Sequence, residues 1–121
     1  SNFGSSNFSS AQKMKEARAL IRKQYPKIWV EGEMQVDTAL DLNTMHKLFP
    51  NTPQDEPANV LIMPNLDAAN IAFNMIRMTD PNAEYIGPIL LGMHKPVHIL
   101  NVDAPVRRIV NMTALAAVQA Q

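Results

Sequence analysis

The sequence predicts an α/β fold in which a largely parallel sheet is flanked by helices. Segments with helical periodicity alternate with short apolar runs, in the order helix, strand, helix, strand, helix, strand, strand, helix. The apolar runs are almost continuous, which is typical of parallel strands buried on both faces. With 121 residues, 46% of them hydrophobic and 18% charged, the chain has the size and composition of one globular domain.

The first half of the chain contains two predicted helices. Helix one starts with a capping-box spacing, Ser9 to Gln12, and ends at Pro26; its apolar face carries Met14, Ala17, Leu20, Ile21 and Tyr25. A short strand over 28–30 follows. The second helix ends before Pro50, and its apolar face carries Leu42, Met45, Leu48 and Phe49. Residues 51–58, with two prolines and two acids, predict a surface loop.

The second half contains three predicted strands and two helices. A buried strand over 60–63 leads into a helix that ends at Asp80–Pro81, with Leu66, Ala69, Phe73 and Ile76 on one face. Strands are predicted over 85–91 and 97–100. Pro105 suits the first turn of the last helix, whose face carries Val106, Ile109, Val110, Thr113 and Ala117.

Composition excludes several classes of function. Eleven basic residues balance eleven acidic ones, so we expect no nucleic acid or anionic membrane as partner. The absence of cysteine excludes disulfides, a thiolate nucleophile and cysteine-based zinc sites. The longest apolar run, 86–93, is too short to cross a bilayer, and the first residues do not show the charged, apolar and small-residue pattern of a signal peptide. We therefore expect a soluble, cytoplasmic protein. Because the chain begins at Ser1 in loop-like residues, we also expect a piece of a longer polypeptide.

Two groups of titratable residues invite a functional interpretation. His94 and His98 are four residues apart, but Pro96 argues against a helix between them, and about 13 Å would separate them along a strand, so we predict no metal site. Glu31 and Glu33 follow a predicted strand, and Asp37 and Asp41 lie on the helix after it. Such carboxylates serve acid–base chemistry or bind cations at a sheet edge. We favour the plainer interpretation, a solvated rim with helix-capping acids.

Three polar segments remain as candidate ligand sites. Residues 64–70 join a buried strand to a helix, where backbone N–H donors can bind an anion; Asn65 can instead be a simple cap, but a mid-helix asparagine, Asn70, needs a partner. Arg107 and Arg108 open the last helix, either as a solvated first turn or as phosphate ligands. Residues 1–10 form either a tail or a phosphate-cradling loop.

Four segments together resemble the C-terminal portion of phosphotransacetylases. They are Ser1-Asn2-Phe3-Gly4-Ser5, the run from Glu31-Gly32-Glu33 to Asp37, the run from Ala58 to Ile71, and Ile86-Gly87-Pro88-Ile89-Leu90, with Lys95-Pro96 after them. The resemblance covers nearly the whole chain. It implies an α/β fold in which the chain supplies one part of a two-domain unit that is dimeric through its helices.

The chain departs from the phosphotransacetylase pattern where the resemblance would place acyl transfer. The family carries a Leu-Ser-Arg-Gly motif and a downstream aspartate; here Asn101, Val102 and Arg108 stand at the serine, arginine and aspartate positions. Asn2-Phe3 replaces a usual Thr-Lys, and Asn74 replaces an expected lysine. Because Val102 cannot stabilise charge on a transferring acyl group, the resemblance implies no catalytic residue in this segment.

With these departures the sequence resembles large bacterial NADP-dependent malic enzymes, which carry a phosphotransacetylase-like domain at their C-terminus. The shared runs are Ser-Asn-Phe-Gly-Ser, Pro-Asn-Leu-Asp-Ala-Ala-Asn-Ile and Val-Arg-Arg-Ile-Val-Asn-Met-Thr-Ala-Leu-Ala. In those proteins the appended domain is regarded as an acetyl-CoA sensor. The resemblance implies that residues 1–121 are the C-terminal portion of such a domain, following malic and NADP-binding domains of the same chain.

The resulting hypothesis is a non-catalytic regulatory and assembly segment of a cytoplasmic homo-oligomer. The parent would oxidise and decarboxylate malate to pyruvate and CO2 with NADP and a divalent metal, Mg or Mn, none of which this segment should bind. We predict Asn65, Asp67, Asn70 and Arg108 as contacts for acetyl-CoA. Two alternatives remain: a working phosphate acetyltransferase that acts on acetyl phosphate and CoA, and a purely structural oligomerisation module.

Overall fold

The computed structural model describes residues 1–80 and 82–121. Its helices are α1 (Ser9–Gln24), α2 (Val36–Leu40), α3 (Leu42–Leu48), α4 (Leu66–Thr79) and α5 (Val106–Gln119). The chain divides into two compact units, Ser1–Asn74 and Met75–Gln121. The predicted helices therefore form close to their expected positions, since helical periodicity is a local property of the sequence.

Helix α1 begins as expected, but the predicted capping box is wrong. Phe8, not Ser9, is the residue with extended backbone before the helix, and no side chain caps this end. Ser9 is already the first helical residue, so its hydroxyl lies one position too late to act as the N-cap. Tyr25 ends the helix one residue before Pro26, as the sequence predicts.

Helices α2 and α3 pack together and contain much of the first unit's core. Asp41 separates them because its backbone is extended, and its carboxylate accepts hydrogen bonds from the N–H groups of Asn43 and Thr44. Met45 is completely buried, and Thr38 and Ala39 are 1% and 5% exposed. The predicted second helix is thus α3, and the acid-capping interpretation of Asp41 is confirmed.

The structure assigns no strand to the described residues, so the four predicted strands do not form here. Residues 28–30, 60–63, 85–91 and 97–100 lie outside regular secondary structure, and Val60, Ile62 and Ile99 are 70%, 70% and 71% exposed. A strand exists only when a neighbouring segment accepts its backbone hydrogen bonds. The apolar runs predict burial, but the described residues supply no ladder for them.

The second unit holds the end of α4 and all of α5. The Tyr85 hydroxyl lies 3.0 Å from the Ile76 carbonyl oxygen and 2.8 Å from that of Asp80, so it donates to the C-terminal end of α4. Burial, and then the Asp80 charge, raise the pKa of Tyr85. Met112 is the buried apolar residue of α5. Pro81, which we expected to end the third helix, lies outside the described residues.

Helix α5 starts one residue later than expected. Pro105 is its N-cap, and Val106 is the first helical residue.

Within residues 1–80 and 82–121, none of the helices combines the length and the apolar character that a membrane crossing requires.

Candidate functional site

Glu33 connects the start of the chain to the segment before α2. Its Oε1 atom accepts hydrogen bonds from the Gly4 N–H at 2.5 Å and from the Ser1 hydroxyl at 3.1 Å. Its carbonyl oxygen also accepts from the Phe3 N–H at 2.8 Å. The side chain is held in this way at a position where the residue is only 8% exposed.

The other backbone N–H groups at positions 2–5 of the opening loop, the name used here for residues 1–5, are bonded too. The Asn2 N–H donates to the Ser5 hydroxyl at 2.9 Å, and the Ser5 N–H donates to the Asn2 carbonyl at 3.1 Å. Asn2 and Gln35 also exchange two hydrogen bonds, of 3.2 and 2.6 Å, through their side chains and the Gln35 N–H. The start of the chain is therefore an ordered loop and not a tail. In this conformation its amides at 2–5 all have protein acceptors, which leaves none of them for phosphate.

The electrostatics of Glu33 reflect opposing effects. Burial alone would raise the pKa of the carboxyl group. The hydrogen bonds from the Gly4 N–H, the N–H of Glu33 itself and the Ser1 hydroxyl, together with the Lys15 charge, outweigh it and lower the pKa. The carboxylate form is thus the one that holds the opening loop near neutral pH.

Glu31 binds two arginines from α1. Arg18 and Arg22 lie one turn apart, and their guanidinium groups contact different carboxylate oxygens of Glu31, at 2.9 and 2.7 Å. Arg22 also donates from Nε to the Val30 carbonyl at 3.2 Å. The Glu31 side chain is 13% exposed, so the ion pairs are shielded from solvent on the glutamate side.

An open cleft of about 480 Å³ lies beside this cluster. Its walls include Arg18 and Arg22, and the Phe3 and Phe49 rings, which meet edge to face with centroids 4.5 Å apart. The turn at 50–53 completes it. The cleft therefore places cationic and aromatic side chains next to the opening loop.

The predicted group of four acids is divided among separate partners. Glu31 pairs with arginines and Glu33 with the opening loop, so neither belongs to a solvated rim, and that part of our interpretation is wrong. Asp37 accepts from the N–H of Thr38 at 2.8 Å, and Asp41 caps α3. Each of the four carboxylates therefore has its own donor and its own structural role.

At the start of α4 the structure places three of the predicted effector contacts. Asn65 caps the helix, since its Oδ1 accepts from the Ala68 N–H at 2.9 Å. Asp67 and Asn70 are exposed, and the side chain of Asn70 makes no hydrogen bond with the described residues. Lys13 of α1 donates from Nζ to the Pro64 carbonyl at 3.0 Å, directly before this helix. Asp67 and Asn70 are thus accessible to a ligand, whereas the Asn65 carboxamide oxygen is already in use.

In the second unit, Asn101 and Val102 lie in a tight turn closed by the Ala104 N–H, which donates to the Asn101 carbonyl at 3.0 Å. Val102 is fully exposed. Arg107 forms an exposed ion pair with Glu84, and this partner was not expected from the sequence. Arg108 lies partly buried in the first turn of α5.

The histidines show no metal arrangement in the part of the chain that is described. His98 Nε2 lies 3.0 Å from the Gln119 side-chain oxygen, so His98 forms a hydrogen bond within the second unit. Among residues 1–80 and 82–121, no cluster of three or more histidines or acids could hold a metal ion.

Several residues of this site were not found by sequence reasoning. Lys13, Arg18, Arg22 and Gln35 all bond to partners that lie far from them along the chain. The four-residue spacing of Arg18 and Arg22 places both on one face of α1 and is the one local signal of a shared acid. The identity of that acid depends on tertiary structure.

Comparison with known proteins assigns the chain to a family. Residues 1–117 match the family described as Phosphate acetyl/butaryl transferase. The chain belongs to this family, which confirms the resemblance inferred from the sequence. The structure superposes on the EutD phosphotransacetylase from Staphylococcus aureus with a TM-score of 0.84 and 26% identity, over 100% of this chain and 38% of that one. A phosphotransacetylase-like fold is confirmed.

Among individual relatives, the chain is 46% identical over its 121 residues to the C-terminal part of the NADP-dependent malic enzyme of Salmonella typhimurium. The match covers all of this chain and 16% of the malic enzyme. It is also 39% identical over 120 residues to the phosphate acetyltransferase of Paracoccus denitrificans, covering 98% of this chain and 37% of that enzyme. The chain thus spans about a sixth of the malic enzyme relative and just over a third of the transferase.

Proposed function

We propose that this chain is a non-catalytic regulatory and assembly segment of an NADP-dependent malic enzyme and that it binds acetyl-CoA. The full protein would convert malate to pyruvate and CO2 in the cytoplasm as a homo-oligomer. Its catalytic and NADP-binding domains would precede this segment, and NADP and Mg or Mn would bind there. The identity to the C-terminal part of a malic enzyme supports this assignment.

The observation that carries the proposal is the turn at Asn101 and Val102. The resemblance to phosphotransacetylases places a serine and an arginine here, and this chain presents an amide and a fully exposed isopropyl group. Neither side chain supplies a positive charge to an acyl or phosphoryl group in the transition state. Arg108, at the position of the family's aspartate, reverses the charge there. Acetyl-CoA could bind such a site without being transferred.

We assign effector contact to Asn65, Asp67, Asn70 and Arg108. Asp67 and Asn70 are exposed on the first turns of α4, and Arg108 keeps part of its surface accessible. Asn65 could add its NH2 group while its oxygen caps the helix. Regulation then requires that acetyl-CoA bind one state of the enzyme more tightly than another.

We further infer that the segments at 28–30, 60–63, 85–91 and 97–100 form a largely parallel sheet in the complete domain. The chain covers 38% of the matched transacetylase, so most of a comparable domain would be contributed by other residues. The exposed side chains of Val60, Ile62 and Ile99 support this, because burying them against neighbouring strands is favourable.

The test is malate-dependent NADP reduction by the full-length protein while acetyl-CoA is titrated in. A full-length variant that lacks residues 1–121 of this segment is assayed in parallel. We expect acetyl-CoA to lower the rate of the intact protein and to leave the truncated one unaffected. If acetyl-CoA does not change the rate of the intact protein, the result would favour the alternative that this segment is a purely structural oligomerisation module. Absence of malate oxidation, with acetyl transfer between acetyl phosphate and CoA, would favour a working transferase.

A further inference from the structure

We propose that Glu33 is a positioning residue that fixes the opening loop and, through it, the affinity of this segment for acetyl-CoA. The first part stands on the contacts of the loop alone. The second part rests on the proposed function. No contact between Glu33 and a ligand is implied.

The contacts join segments that are distant in sequence. Ser1 and Gly4 donate to one oxygen of Glu33, and the residues are 32 and 29 positions apart. The Glu33 carbonyl accepts from Phe3, so both the backbone and the side chain of this residue hold the same loop. Two positions further on, Gln35 exchanges hydrogen bonds with Asn2. The loop is therefore held by hydrogen bonds at four consecutive residues, Ser1 to Gly4.

The backbone of the loop needs this support. Phe3 has φ of 46° and Gly4 has φ of 86°, so two neighbouring residues occupy the left-handed region. For phenylalanine this conformation is unfavourable and persists only when surrounding contacts impose it. The bond from the Gly4 N–H to the Glu33 carboxylate is made directly after the strained residue. Because the acceptor is a charged carboxylate, this hydrogen bond is stronger than one between neutral groups.

The position of the loop decides what the cleft presents. Phe3 lines the cleft and packs edge to face on Phe49, and the two arginines bound by Glu31 line the same cleft. Since the backbone amides at 2–5 are bonded within the protein, the loop offers a ligand its side chains and not an anion-binding nest. Releasing Glu33 would free the Gly4 amide and let Phe3 leave the wall.

The experiment compares full-length wild type with Glu33→Ala, Glu33→Gln and the control Glu16→Ala, which removes an exposed glutamate from α1. Three quantities are measured: the hydrogen-exchange protection factor of the Gly4 amide, the dissociation constant of acetyl-CoA by calorimetry, and the thermal midpoint. Glu33→Gln retains an acceptor oxygen but cannot be ionised, so it separates hydrogen bonding from charge.

We expect Glu33→Ala to lower Gly4 protection about tenfold or more, since a hydrogen bond to a charged group is lost. The dissociation constant of acetyl-CoA should rise in the same variant. This loss of affinity should be larger than the loss of stability, measured by the thermal midpoint, can explain. Glu33→Gln should recover part of both properties, and Glu16→Ala should match wild type. Below the lowered pKa of Glu33, protection should fall in wild type but not in Glu33→Gln.

The pH comparison must consider the groups that face Glu33: Lys15 lowers its pKa through charge, and Ser1 and Gly4 through hydrogen bonds. Unchanged Gly4 protection in Glu33→Ala would overturn the inference. So would a mobile loop that leaves acetyl-CoA affinity at the wild-type value. If wild type does not bind acetyl-CoA at all, the proposed function fails, and the protection factors still decide whether Glu33 fixes the loop.

Discussion

Met45 contributes most clearly to stability at the scale of single residues. Its side chain is completely buried where α2 and α3 pack together. Met45→Ala should lower the free energy of unfolding by about 2–5 kcal/mol, because apolar contacts are lost and a cavity remains. Denaturant unfolding of the full-length protein would measure this. Met78→Ala is the matched control, since Met78 is 74% exposed and should change stability little; equal effects of the two substitutions would contradict the assigned core.

Asp41 should give the protein an acid-sensitive helix end. Hydrogen bonds from the Thr44 hydroxyl, the Thr44 N–H and the Asn43 N–H lower its pKa below the ordinary 3.8. Because the folded state has the lower pKa, the contribution to stability is present above about pH 3.8 and is lost as pH falls through the folded pKa.

Asp41→Asn tests this directly. Asparagine is also a good N-cap but does not titrate, so the variant should lose less stability than wild type on acidification below pH 3.8. The thermal midpoint followed from neutral to acidic pH is the measurement. Parallel curves for wild type and variant would show that Asp41 makes no pH-dependent contribution.

At the scale of helices, α4 has one asparagine that caps its start, Asn65, and one inside the helix, Asn70, whose side chain makes no hydrogen bond with the described residues. Asn65→Ala removes the side chain that caps the helix and should cost about 1 kcal/mol. Asn70→Ala should cost nothing or stabilise the helix by a few tenths of a kcal/mol, since alanine is the better helix former. Equilibrium unfolding of both variants distinguishes them. A large loss of stability in Asn70→Ala would mean that this side chain has a structural partner.

The helices and the strands differ in how much the sequence reveals about them. The apolar faces of α1, α3, α4 and α5 are fixed by residues three and four apart, so local pattern was sufficient. Asp41 separates α2 from α3 by its backbone conformation, which periodicity does not report. The strand runs state only that certain residues favour burial. Whether residues 60–63 pair depends on segments that are distant or contributed by other parts of a protein.

The candidate site divides along the same physical line. Asn65 as a cap and Asp41 as a capping acid follow from residue type and position, and both were foreseen. The partners of Glu31 and Glu33 could not be foreseen, because each depends on where a loop or helix returns in three dimensions. Whether Asp67, Asn70 and Arg108 contact an effector stays a prediction.

At the scale of the whole molecule, family membership and function are separate questions. The chain is similar in sequence both to a malic enzyme and to a phosphate acetyltransferase. A fold that serves both cannot by itself decide between catalysis and regulation. We propose that the turn at Asn101 and Val102 decides between them, because the resemblance to phosphotransacetylases places a serine and an arginine there.

The most direct test of the central claim measures acetyl-CoA binding and acetyl transfer on the same sample. Full-length protein is titrated with acetyl-CoA by calorimetry, and acetyl phosphate is assayed after incubation with acetyl-CoA and inorganic phosphate. The account predicts saturable binding without acetyl phosphate formation. Formation of acetyl phosphate at an enzymatic rate would contradict the non-catalytic assignment, and absence of binding would contradict the role in sensing acetyl-CoA.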